Sequence, residues 1–296
     1  MENISSHPLY RRHTLDSAMS SLWDFYRGRF LVLFIISLVM SLIMQFISAT
    51  IDFSELTYIT DPAEMLNKIK DFIWPIITVS LLNLLFTTIL NYYVIYNPLD
   101  REETIFVSSY KALKYFIPYL IIIILFAFFG SIALMLGLFA LIIGIFFVAL
   151  YMVTLYLFFL PVLMVEGPNI GNAIGRSFKL THKGFWSNMG WTAVFILILI
   201  VISLILSMLI MIPFSGSFFK VLSNPVEASD VTKFMTNPLY IILGALANAM
   251  VFPLLPIYAT ILYFNGRAKE EEVPADVSGN EDLYVKPPDA ENQENK

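Results

Sequence analysis

The chain has 296 residues, 58% of them hydrophobic and 14% charged, with a mean hydropathy of +0.74, a balance that excludes an ordinary water-soluble domain and points to the membrane class. It has no cysteine, which excludes a disulfide framework, a thiolate nucleophile and a Cys-ligated metal. The formal charge of -5 belongs to the end of the chain, where nine acids face four bases from Arg267 to Lys296 and 14 of each precede them.

Residues 1–28 read as a polar segment that ends in an amphipathic helix. Leu15, Met19, Leu22, Trp23 and Tyr26 share one helical face, and Asp16, Ser20, Asp24 and Arg27 share the other. Residues 29–266 read as a six-helix transmembrane domain, because a crossing needs about 20 apolar residues. The runs are Phe30 to Thr50, Phe72 to Tyr96, Tyr115 to Met135, Leu138 to Val165, Trp191 to Ile212 and Pro238 to Phe264. Between Tyr115 and Val165 lie 51 positions without Lys, Arg, His, Asp or Glu, too many for one helix, so the chain must double back. Gly130, Gly137 and Gly144 offer places to turn; "GSIALMLG" is the expected reversal, with "LGLFALIIG" as its alternative. Pro75 and Pro118 are expected in or near a first helical turn, and "FPLLP", at Pro253 and Pro256, is expected to kink the sixth crossing.

Lys and Arg set the orientation. With a cytoplasmic N-terminus, 14 of them face the cytoplasm and four (Lys68, Lys70, Lys220 and Lys233) face away, so both termini are expected inside. Each odd-numbered crossing is preceded by an amphipathic stretch: "SAMSSLWDFYRGRF", "SSYKALKYFIPY" and "NAIGRSFKLTHKGFW". The expected fold is therefore an all-α membrane protein of three transmembrane hairpins, each preceded by an amphipathic interfacial helix. Such a helix places its apolar face in the acyl boundary and its cations on lipid phosphates. The candidate lipid- or partner-binding residues are Arg176, Lys179, Lys183 and Trp186, with Lys111 and Lys114. Residues 267–296, rich in Glu, Asp, Asn and Pro, read as a disordered acidic cytoplasmic tail in which "LYVKPP" offers a short docking motif for a protein partner.

"NAIGRSFKLTHKGFW", following "LPVLMVEGPNI", carries Ala173, Arg176, Ser177, Leu180, Phe185 and Trp186 at spacings that resemble the glycerophosphoryl diester phosphodiesterase membrane domain family of bacterial integral membrane proteins. The resemblance covers Leu160 to Ile200 well and the rest only as a six-crossing layout. It implies a fold and a place in the bacterial cytoplasmic (inner) membrane. It carries over no catalysis, because the phosphodiesterase activity of two-part relatives belongs to a separate soluble barrel domain.

None of the six crossings holds an ionisable residue at depth, where proton relays and ion-coupling sites usually show themselves. The neutral set Gln45, Asn83, Thr87, Thr88, Asn91, Thr154 and Asn248 is expected to bond between helices. Glu166 is expected to pair with Arg176 and Lys179, and His182 to face solvent or lipid phosphate. No Ser-His-Asp set, HExxH or phosphate-cradling loop occurs. The expectation is a non-catalytic accessory protein of membrane homeostasis that binds anionic headgroups or a protein partner, with no cofactor, no metal and no nucleic acid. The alternative is a transporter or permease component for a neutral or lipophilic solute, which a polar cavity joining Asn83, Asn91 and Asn248 would favour.

Overall fold

The computed structural model describes residues 4–50, 61–99, 104–139, 141–216 and 237–271. Among these the chain is 90% helical without strands, and six helical spans are long and apolar enough to cross a membrane. It is an all-α membrane protein. Its helices are α1 (Leu15–Gly28), α2 (Phe30–Ser48), α3 (Pro62–Tyr96), α4 (Ile105–Phe139), α5 (Leu141–Glu166), α6 (Ile170–Lys183), α7 (Phe185–Met211), α8 (Pro238–Val251) and α9 (Leu254–Glu270).

Local chemistry fixes several starts. Thr14 caps α1, its hydroxyl accepting from the Ser17 N–H while the Ser17 hydroxyl accepts from the Thr14 N–H. Asp61 and Asn237 cap α3 and α8, each followed by a proline at the first helical position, where a missing N–H costs nothing. Asn169 caps α6 by accepting from the Asn172 N–H, just after Gly167 turns the chain at a φ of 107°. That conformation is cheap only for glycine.

Consecutive crossings pack on one another: α2 on α3, α3 on α4, α4 on α5, and α7 on α8. An extensive α2–α8 contact joins the first crossing to the last. The last crossing breaks at Phe252 and Pro253. Pro253 and Pro256 cannot donate to the carbonyls of Ala249 and Phe252, so the expected kink becomes a break between two helices. Its halves serve different neighbours, α8 lying on α2 and α7 while α9 runs against α5, α3 and α1. Ile257, Tyr258, Ile261, Leu262, Tyr263 and Phe264 of α9 are wholly buried, so α9 is the centre of the core.

Four sequence expectations change. Helix α4 runs through "GSIALMLG" to Phe139 and α5 begins at Leu141, so the reversal does not lie in "GSIALMLG" and the boundary falls within the alternative, "LGLFALIIG". Gly130 and Gly137 instead lie inside α4 and admit α5 closely: the Met152 methyl fills the space a Cβ on Gly130 would need, and a Cβ on Gly137 would stand 3.2 Å from the Gly144 carbonyl oxygen. Pro75 and Pro118 are helix-interior, because α3 and α4 begin well before the apolar runs do. For the same reason the amphipathic stretch before the third crossing forms the first turns of α4, whereas α1 and α6 are separate helices. Finally, the neutral polar side chains mostly bond within their own helices. Thr88 donates to the Leu84 carbonyl, Thr154 to Leu150 and Asn91 to Thr87, at 2.8, 2.8 and 2.9 Å, because a carbonyl one turn back is always within reach.

Candidate functional site

The end of the bundle where residues 4–14 meet the end of α9 (the termini end) carries the densest polar chemistry among the described residues. Tyr96 and Tyr115 both donate to the Met164 carbonyl, at 2.6 and 3.2 Å, which brings the end of α3, the start of α4 and the end of α5 together. The segment before α1 closes over them. Its His7 Nε2 donates to the Val94 carbonyl at 3.1 Å, and the His13 N–H donates to Asn265 Oδ1 at 2.9 Å. Tyr10 donates its hydroxyl to Glu271, and Arg12 reaches the Lys269 carbonyl at 3.5 Å.

Helix α6 is fastened to this end on two sides. Ala173, Ser177, Leu180 and Thr181 are buried, and the Leu180 side chain sits against Gly266 of α9 near Phe158 of α5. Its apolar face therefore serves the bundle first. At its middle, Arg176 Nε donates to both oxygens of Glu166 at 3.0 and 3.1 Å, while Nη1 and Nη2 fork onto the two oxygens of Glu270. Tyr263 donates to Glu166 Oε1 at 3.0 Å, and Lys183 lies 3.6 Å from Glu270 Oε1. One guanidinium thus joins α5, α6 and α9. Its hydrogen bonds to Glu270 and Glu166 outweigh partial burial and hold it protonated even more firmly than an ordinary arginine. At Glu271, just past α9, the hydrogen bond from Tyr10 draws the carboxyl below its usual range.

The six candidate residues from the sequence thus divide. Arg176 meets Glu166 as expected and Glu270 besides, so it is a fastening inside the protein. Lys183 is half-exposed and shares Glu270. Lys179, Lys111 and Lys114 are exposed, with the Lys114 ammonium 4.7 Å from the centre of the Tyr115 ring. Trp186 is 75% exposed, and its ring leans edge-on against Phe147 and Phe185. His182 is exposed as expected; its Nδ1 donates to the Phe178 carbonyl at 2.8 Å, and its Nε2 lies 3.5 Å from the Tyr151 hydroxyl.

Sequence inspection missed His7, Tyr10 and His13 as packed groups, and it assigned Glu270 and Glu271 to a disordered tail from residue 267. Helix α9 continues to Glu270; the remainder of the expected tail, with "LYVKPP", lies outside the described residues. The only available signal was the pair Glu270–Glu271 one helical face beyond Tyr263 and Arg267. No group of three or more His, Asp or Glu suited to a metal occurs among the described residues. No family model, curated protein or solved structure matches this chain.

Proposed function

We propose that this is a non-catalytic protein of the bacterial cytoplasmic membrane, with both termini cytoplasmic, that holds anionic lipid headgroups at the end where those termini gather and so supports membrane homeostasis. One observation carries this. Lys111 and Lys114 project from the start of α4 beside exposed Phe106 and Tyr110, and Lys179 projects from α6 beside exposed Phe178, the mixture of cations and aromatics that suits a headgroup boundary. The excess of Lys and Arg in the same connecting segments supports the orientation. The resemblance around Arg176 to bacterial membrane-domain proteins favours the same compartment.

A pathway for a neutral solute is less well supported. Asn91 lines a void of about 10 Å³, room for roughly one water. The Asn83 amide faces the Met44 sulfur at 4.0 Å, and Asn248 is exposed on α8.

The test is lipid retention by the purified chain in native mass spectrometry. Changing Lys111, Lys114 and Lys179 together to Gln should reduce retained phosphatidylglycerol about tenfold or more, since each lysine at an anionic surface is worth about 1 kcal/mol. Phosphatidylcholine retention should not change. Arg176 is left intact, because its loss would disturb the helices themselves. Undiminished phosphatidylglycerol would refute the proposal.

A further inference from the structure

Between α4 and α5, with α6 along one side, lies a groove of about 330 Å³, at the small end of ligand sites. Its walls are almost wholly hydrocarbon: Ile122, Leu125, Phe129 and Ala133 from α4, Met152 and Leu155 from α5. Ile174 and Phe178 of α6 border it, and Gly130, having no side chain, lets the Met152 methyl lie against α4 in its wall. The one hydroxyl on its wall, that of Tyr151, is directed at His182. Phe129 is 62% exposed, so the groove opens outward from the bundle, toward lipid.

The α4 wall has a polarity. Lys111 and Lys114 each stand 11 residues before Ile122 and Leu125. Eleven residues make three turns plus about 20°, so cations and groove lie on one stripe, separated by about 16 Å of helix. A cation at the termini end followed by an apolar slot complements a molecule with an anionic head and a hydrocarbon tail. A helix from another protein would match the slot without needing the lysines.

We propose that the groove holds one acyl chain of an anionic phospholipid whose headgroup lies against Lys111 and Lys114. This rests on the lipid-binding function proposed above and adds the part of the lipid that the bundle grips. Phe126 and Phe129 on one wall and Phe178 on another confine the chain, while Met152, unbranched and flexible, adapts to its bends.

The full chain in nanodiscs of phosphatidylglycerol and phosphatidylethanolamine, doped with phosphatidylglycerol bearing a diazirine in its acyl chain, tests this by mapping crosslinks. Labelling should concentrate on Leu125, Phe129, Met152 and Leu155, about tenfold above the lipid-facing Val39 of α2 and Leu204 of α7. Ala133→Trp, which fills the groove, should remove that excess while headgroup retention persists. Lys111→Gln with Lys114→Gln, in chains whose unfolding in mild detergent matches that of the parent, should lower it about tenfold. Even labelling of all outward faces, or a pattern indifferent to Ala133→Trp, overturns the groove while leaving lysine-dependent retention standing. Equal groove labelling by phosphatidylcholine with the same tail overturns the requirement for an anionic head. Appearance of chain-to-chain crosslinks at the groove in place of lipid would assign it to a second copy and also overturn the proposal.

Discussion

Arg176 and Glu270 face each other fork to fork, two guanidinium nitrogens on two carboxylate oxygens, although 94 residues separate them. The remaining nitrogen holds Glu166, so the middle of α6 is tied both to the end of the helix before it and to the end of α9. Arg176→Gln leaves two carboxylates close together, with Lys183 and Lys179 acting on Glu270 alone. The side chains are about one-fifth exposed, so the expected loss lies between that of a surface pair and a buried one, about 2–3 kcal/mol. Arg176→Lys should recover less than half, because an ammonium cannot span both partners. Denaturant unfolding in a mild detergent measures both, and a Gln variant as stable as the parent would show that apolar packing alone holds α6.

His7 makes stability depend on pH. It lies between Phe25 and Phe264, its ring centre 4.9 Å from that of Phe264, with Nδ1 accepting from the Leu9 N–H and Nε2 donating to Val94. Burial, reinforced by Arg29, pushes its pKa down from 6.5 to about 4 against the opposing hydrogen bond to Val94. The unfolded chain therefore binds the extra proton first. The stabilising contribution is complete above pH 6.5 and declines as pH falls toward 4, by about 2 kcal/mol between pH 7.5 and 5. Protonation also places a hydrogen on Nδ1 against the Leu9 N–H. His7→Gln should flatten the melting temperature over this interval relative to the parent; an unchanged slope would assign the pH dependence elsewhere.

How much of this was legible in the sequence follows from the range of the interactions. Asp61-Pro62, Asn237-Pro238 and Asn169 announce helix starts because caps act over three residues, and the apolar runs give the crossings because bilayer thickness sets their length. Apart from Arg176 with Glu166, the groups that fasten the termini end act over 49 to 261 residues, and no periodicity records such pairings. Lys111, Lys114, Lys179 and Trp186 were visible as exposed cations and aromatics, whereas the role of Arg176 required Glu270, which composition had placed with the tail. The glycines misled for a physical reason: a residue without Cβ permits either a turn or a close helix contact, and only the facing helix decides which.

Gly137 and Gly130 separate those cases by experiment. A Cβ at position 137 meets a backbone oxygen and Val148 Cγ2, both at 3.2 Å, so Gly137→Val should force α4 from α5 and cost about 1–3 kcal/mol. A Cβ at position 130 meets only the end of the Met152 side chain, which can swing aside. Gly130→Ala should then stay within about 1 kcal/mol of the parent, with the gain in helix propensity offsetting the displaced methyl. Unfolding of the two variants in the same detergent checks the order; equal losses would refute the assignment of Gly137 as the tighter contact.

The break in the last crossing gives the remaining prediction. Pro253 and Pro256 deprive the Ala249 and Phe252 carbonyls of their helical donors, and between those two the Met250 carbonyl accepts from the Tyr26 hydroxyl at 2.9 Å. Tyr26 belongs to α1, so this bond ties the amphipathic helix to the point where α8 gives way to α9. Tyr26→Phe keeps the ring stacked edge-on against Phe30 and removes only the donor. It should cost about 1 kcal/mol, the usual worth of a neutral bond to a partly buried carbonyl. In hydrogen exchange the amides of α1 should lose protection more than those of α4 and α5, because α1 loses its tether while the hairpin does not. Uniform loss of protection across the bundle would mean that the break and α1 unfold with everything else, and that the hydroxyl is no separate tether.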